Sequence, residues 1–126
     1  MFLNISNHGS ASWSKEQLAA ARELGGEVID IQFPTVDPAA NEKDIAMQAI
    51  DLVNYIYVDL ALEPAVAMIQ GEMTLTYALV GILRENGVKV VAACSDRCVT
   101  EVAKEDGTTE KKAIFKFVQF REYPRV

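Results

Sequence analysis

The stretch NHGSASW at residues 7–13 holds the only histidine of the chain, His8, together with the hydroxyls of Ser10 and Ser12, the amide of Asn7 and the indole of Trp13. An imidazole moves protons near neutral pH, hydroxyls bind phosphate and ribose, and an indole offers a face to a planar base. Gly9 lets a backbone come close to whatever binds there. That mixture suits a nucleotide. It also has a plainer use, with serines capping the helix that follows and Trp13 stapling it to the core.

Two further clusters carry comparable chemistry. In QGEMT at residues 70–74, Gly71 stands at a strand-to-helix turn, where the N–H groups of Glu72, Met73 and Thr74 can face a phosphate beside the Gln70 amide. Glu72 opposes such an anion unless it points away or acts on a proton; alternatively it is an acidic first helical turn favoured by the dipole. In CSDRC at residues 94–98, Ser95, Asp96 and Arg97 sit together. Arg97 is the first choice for a phosphate clamp because its planar fork matches phosphate oxygens, although an Asp96–Arg97 pair holding a surface turn is the simpler use.

Other chemistry finds less support. Cys94 and Cys98 with one histidine do not make a four-ligand zinc set, and they read as reduced thiols, with a redox role or a local disulfide left open. No GxGxxG, GxxxxGK[ST] or GxSxG motif occurs, so a Ser/His hydrolase has only a lone histidine behind it. No metal and no cofactor is expected.

The elements that must position these clusters follow from periodicity. Residues 2–6 form an apolar strand, and Ser14-Lys15-Glu16-Gln17 is a capping box opening a helix with Leu18, Ala21 and Leu24 on one face, stopped by Gly25-Gly26. Val28, Ile29 and Ile31 make a second strand, and residues 33–41 an irregular loop with two prolines. Asn41 caps a second helix with Ile45, Ala49, Leu52, Val53 and Ile56 inward, and residues 65–69 are apolar on both faces, as a central parallel strand is. A third helix, capped near Thr74 with Leu75, Leu79, Ile82 and Leu83 inward, ends at Asn86-Gly87, and residues 88–93 form a fourth strand.

Three β-α units in succession predict an α/β protein: a Rossmann-like parallel sheet with helices on both sides. After a loop at 94–98, strand-like runs at 98–105 and 111–121 joined through Asp106-Gly107 predict a C-terminal β-hairpin. In its second arm Phe115 and Phe117 point to one face, and Ile114, Val118 and Phe120 to the other, so both faces call for cover, which a partner subunit can supply. The clusters then share one rim, the carboxyl edge of the sheet, where ligands of such folds bind.

The 126 residues, half of them apolar, suffice for one domain over 1–126. Twelve basic against eighteen acidic residues leave a formal charge of −6, which disfavours gripping long DNA or RNA through many phosphates but not a small anion. No run of 18 apolar residues and no basic leader occur, so neither a membrane span nor a signal peptide is expected, and the chain reads as cytoplasmic.

The opening strand with NISNH, the segment QGEMTLTYALV, and a finish of CSDRCVTEV, a DG turn and FKFVQFREY, in that order, resemble small stand-alone CRISPR-associated proteins related to the CRISPR-associated Rossmann fold (CARF), several of them ring nucleases. The resemblance implies a homodimer whose paired loops bind cyclic oligoadenylate, the messenger of type III CRISPR defence, and in ring nucleases cut it without metal through attack of a ribose 2′-hydroxyl on the adjacent phosphate. It implies that Asn7, His8 and Ser10 lie against ribose or phosphate, that Gly71 and Thr74 offer helix-start N–H groups, and that Ser95 and Arg97 bind phosphate. The catalytic residues expected are Arg97 first, then His8, which would protonate the leaving oxygen, and Ser10. The larger relatives often carry a lysine where this chain has Glu72, and a fused effector domain; without one, signal removal or plain sensing is the expected role. The open alternatives are a non-catalytic sensor or sequestering protein, and a Rossmann-like domain for another nucleotide.

Overall fold

The computed structural model describes residues 1–126. Five strands, β1 (Phe2–Ser6), β2 (Val28–Gln32), β3 (Val66–Gln70), β4 (Lys89–Ala103) and β5 (Thr109–Glu122), form one sheet in the order β2-β1-β3-β4-β5. The first four are parallel and β5 runs antiparallel to β4. This is the α/β arrangement expected from the sequence, with its C-terminal hairpin.

Each helix forms where its sequence provides a cap. Ser14 Oγ accepts from the Gln17 N–H ahead of α1 (Lys15–Gly25), and Asn41 makes a reciprocal capping box with Asp44 at α2 (Glu42–Asn54). Gly26 leaves α1 at φ 82°, and at Gly25 a Cβ would stand 2.9 Å from that of Phe2, so the helix end lies directly on the sheet. α3 (Met73–Glu85) buries Leu75, Leu79 and Leu83, spaced every fourth residue.

The winding divides the helices unequally. α2 and α3 cover one face over Leu3, Ile5, Ile31, Ala67, Ile69 and Val90. On the other face Phe2, Val66, Met68 and Val91 pack with Ala21 of α1, joined by Trp13 and Phe120. With one helix on this side, aromatic rings complete the cover: Phe120 lies 5.0 Å from Phe2 and 4.9 Å from Phe117, centroid to centroid.

Two expectations need correction. The loop expected at 94–98 does not exist: β4 runs unbroken to Ala103, paired with β5 from Val91↔Glu122 to Ala103↔Thr109. Its polar Ser-Asp-Arg composition reflects a strand that has left the body and faces water on both sides, a two-stranded ribbon ending in a turn with Gly107 at φ 85°. The face assignment along β5 also changes. Cys94 pairs Gln119 while Ser95 pairs Phe117, so Val118 is an extra residue in a bulge, and Phe120 joins the face of Phe117 instead of opposing it. The ribbon geometry also settles the thiols, because residues four apart in one strand are ~13 Å distant, beyond a disulfide within the chain.

Candidate functional site

β1 and β3 are neighbours whose connections leave toward opposite sides of the sheet, and a crevice opens where their carboxyl ends diverge. There the structure has an open cleft of about 1160 Å³. Its floor is Ser6, Met68 and Gln70; one wall is the loop after β1 with His8, Ser12 and Trp13; the other is the root of the ribbon with Ser95, Phe115, Lys116 and Phe117.

The loop after β1 is held by a polar network rooted in the core. Asn4, buried in the middle of β1, donates from Nδ2 to the His8 carbonyl at 2.8 Å and to Asp30 Oδ1 at 2.9 Å, and its Oδ1 accepts from Ser6 Oγ at 2.7 Å. Ser6 Oγ in turn accepts from the His8 N–H. Asp30, the β2 residue in register with Asn4, accepts from the Ser10 N–H and hydroxyl. Buried polar groups are costly unless partnered, so this network fixes the loop backbone while the imidazole of His8 remains on the cleft wall.

The β3–α3 turn is built differently. Glu72 is itself the N-cap: its carboxylate accepts from the Thr74 and Leu75 N–H groups at 2.9 and 2.8 Å and from the Thr74 hydroxyl. These bonds, the Leu75 N–H first, hold its pKa below the ordinary glutamate value. Of the donors expected to cradle a phosphate, the Thr74 N–H is therefore already occupied, with that of Leu75, by an anion of the chain itself, which also opposes a second anion there.

A family model described as Uncharacterized protein MJ1673 family matches residues 1–121. The chain belongs to that family. No curated protein and no solved structure matches it. The MJ1673-family match extends through the ribbon, so the ribbon is part of the shared domain rather than an appendage.

Of the candidate residues named from this MJ1673-family sequence, His8, Ser12, Trp13, Gln70 and Ser95 converge on the cleft. Gln70 Oε1 also accepts from the Ala93 N–H at 2.7 Å, tying β3 to β4. Ser10 is outside, its hydroxyl donating to Asp30. Asn7 is exposed beside Gln32, whose amide donates to its Oδ1. Gly71 is small because the Phe33 ring lies directly against its Cα; together with Met73, Tyr77, Arg84 and Tyr123 it lines a second cavity of about 550 Å³ that shares only Gln70 with the cleft. Thr74 serves the Glu72 cap. Asp96 and Arg97 lie exposed on the ribbon, cross-strand from Lys116 and Phe115 and outside the cleft lining.

The cation that does line the cleft is Lys116, and it was missed because the expected loop at 94–98 put Arg97 on the rim instead. Asn4 and Asp30 were missed as well, though an asparagine inside the apolar run FLNIS was a readable sign of a buried polar partner. No three His, Cys, Asp or Glu side chains converge as a metal-binding set. No helix is long and apolar enough to cross a membrane.

Proposed function

We propose that the cleft binds cyclic oligoadenylate and that two copies of the chain act together on one ring. The observation that carries this reading is the cleft itself: about 1160 Å³ at the strand switch, with hydroxyls, an imidazole, two glutamine amides and three aromatic side chains along it. Trp13, Phe115 and Phe117 suit stacking by adenine bases, which every base tolerates through its π-face. The likeness of NISNH, QGEMTLTYALV and FKFVQFREY to small CARF-related proteins gives the ligand class. One Lys116 per cleft, set against Glu16 of the same lining, is little positive charge for a ring of phosphates, so binding rests on hydroxyls, amides and stacking, and a twofold pair doubles these and doubles His8.

In the catalytic form of this reading, a ribose 2′-oxygen attacks the adjacent phosphorus. The 2′-hydroxyl gives its proton to water, the P–O2′ bond forms, the P–O5′ bond breaks, and the departing O5′ takes a proton from His8, leaving a 2′,3′-cyclic phosphate. Arg97 and Ser10 have no part in it, because both lie outside the cleft. That same observation favours a second reading, a protein that holds the ring without cutting it, since only His8, Glu16 and Lys116 of the cleft lining can exchange a proton.

Incubating the protein with cyclic tetra- and hexa-adenylate without added metal, then separating nucleotides by chromatography, tests both. Linear products that disappear in His8→Ala support cleavage. Intact ring co-eluting with protein supports sequestration. Neither retention nor cleavage of either ring overturns the ligand assignment.

A further inference from the structure

Two surfaces of this molecule are apolar, exposed and opposite in charge. On the ribbon face opposite Phe115 and Phe117, beyond Lys116 at its root, cross-strand pairs set Cys98 beside Ile114 and Thr100 beside Lys112, with Val102 next along β4. Ile114 is 46% exposed. The single ion pair of the molecule is Lys104–Glu110, so Lys112 has no carboxylate within 4.0 Å. The second surface is the outer side of α2 and the turn after it, where Met47, Ile50 and Val58 are exposed at helical spacing and Tyr55 adjoins them. Its rim is acidic: Asp51 and Asp59 lie among these residues, also without a cation within reach.

We infer that the ribbon of one copy docks, by the face bearing Ile114, Val102 and Lys112, on the α2 stripe of a second copy, and that the exchange is reciprocal. This deepens the two-copy reading given above and is independent of which ligand the cleft holds. Charge decides the occupant: on the ribbon face Lys112 and Lys116 outnumber the unpaired Asp96, Glu110 being held by Lys104, and on the α2 stripe Asp51 and Asp59 outnumber Lys43, so two surfaces of the same chain carry opposite net charge. Area decides the reciprocity. Nine residue pairs of ribbon, Ser95↔Phe117 to Ala103↔Thr109, extend beyond the bulge. At ~3.3 Å per residue and ~10 Å of width, one face covers ~300 Å². Two ribbons on two stripes bury four such faces, ~1200 Å², which reaches the size of a stable interface; a one-sided contact buries half of that and falls among incidental ones. Docking by this face leaves Phe115 and Phe117 free to line the cleft.

Cys98 is a native probe of the contact. In a Cys94→Ser, Ile50→Cys double variant, mild oxidation should link two chains through Cys98 and the thiol introduced at position 50, a product absent when Cys98→Ser is added. Light scattering on the unmodified chain should give twice the 13.9 kDa chain mass. Lys112→Glu and Asp51→Lys should each weaken the dimer about tenfold, and the two together should restore it to within about threefold. A single-chain mass at all concentrations overturns the inference together with the two-copy reading. A dimer that ignores both reversals, is not rescued by the double change, or gives no link through Cys98 overturns the inference alone and leaves the two-copy reading standing.

Discussion

The segments that follow β1 and β3 begin one strand apart on the same rim, yet they are built to opposite ends. After β1, the chain spends buried polar atoms of Asn4 and Ser6 on holding the backbone, so that His8, Ser12 and Trp13 stay on an open wall. After β3, the side chain of Glu72 closes on its own helix start and takes the Thr74 and Leu75 donors that a guest anion would need. A helix N-terminus is an anion site only if the chain has not already placed an anion there. Positive dipole ends therefore do not locate this protein's site; the divergence of β1 and β3 does.

The comparison is broken most forcefully at its root. Asn4→Leu keeps the branched shape but removes three hydrogen bonds, leaving the Ser6 hydroxyl and the His8 backbone only each other as partners, and it should cost about 3 kcal/mol in denaturant unfolding while loosening the loop after β1. Gly71→Ala strikes the other segment: the added methyl meets the buried Phe33 ring, for an expected loss of about 2 kcal/mol in the same measurement with Asn4 and its network undisturbed.

Glu72 allows a finer test. Its pKa is lowered in the folded chain, so its contribution is present above the ordinary glutamate range and fades as the pH falls through the lowered value. The melting temperature of Glu72→Gln should thus fall below that of the unmodified protein near pH 7, and the two should converge as the pH drops below about 4. Glu72→Ala frees the Thr74 and Leu75 N–H groups, and should give inorganic phosphate a site at α3, visible as shifts of those two amides in NMR. Smallest of all is Arg97→Ala. With its side chain exposed and outside the cleft, it should change stability by less than about 0.5 kcal/mol and leave ring binding unaltered.

Much of the architecture was legible because it is periodic and local. The apolar runs of β1 and β3, the capping box at Asn41 and the spacing of Leu75, Leu79 and Leu83 each specify one element from its own residues. The site was legible only in part. His8, Ser12, Trp13, Gln70 and Ser95 could be placed because they follow strand ends. Lys116 and the regrouping of Phe120 with Phe117 could not, because both depend on how β5 registers against β4, a pairing across the chain that no local pattern encodes. Glu72 was weighed as an obstacle to phosphate or an acidic first turn, but its capture of specific N–H groups is a choice of rotamer, not of composition.

The unpaired Val118 acts as a parity switch for everything distal to it. Side chains along a strand alternate, so one supernumerary residue reverses odd and even from that point to the tip. Pairing Val118 into the ladder in place of the bulge would leave the core ladder below it unchanged and turn Phe115 and Phe117 to the opposite face together, exchanging the two surfaces of the arm in a single step.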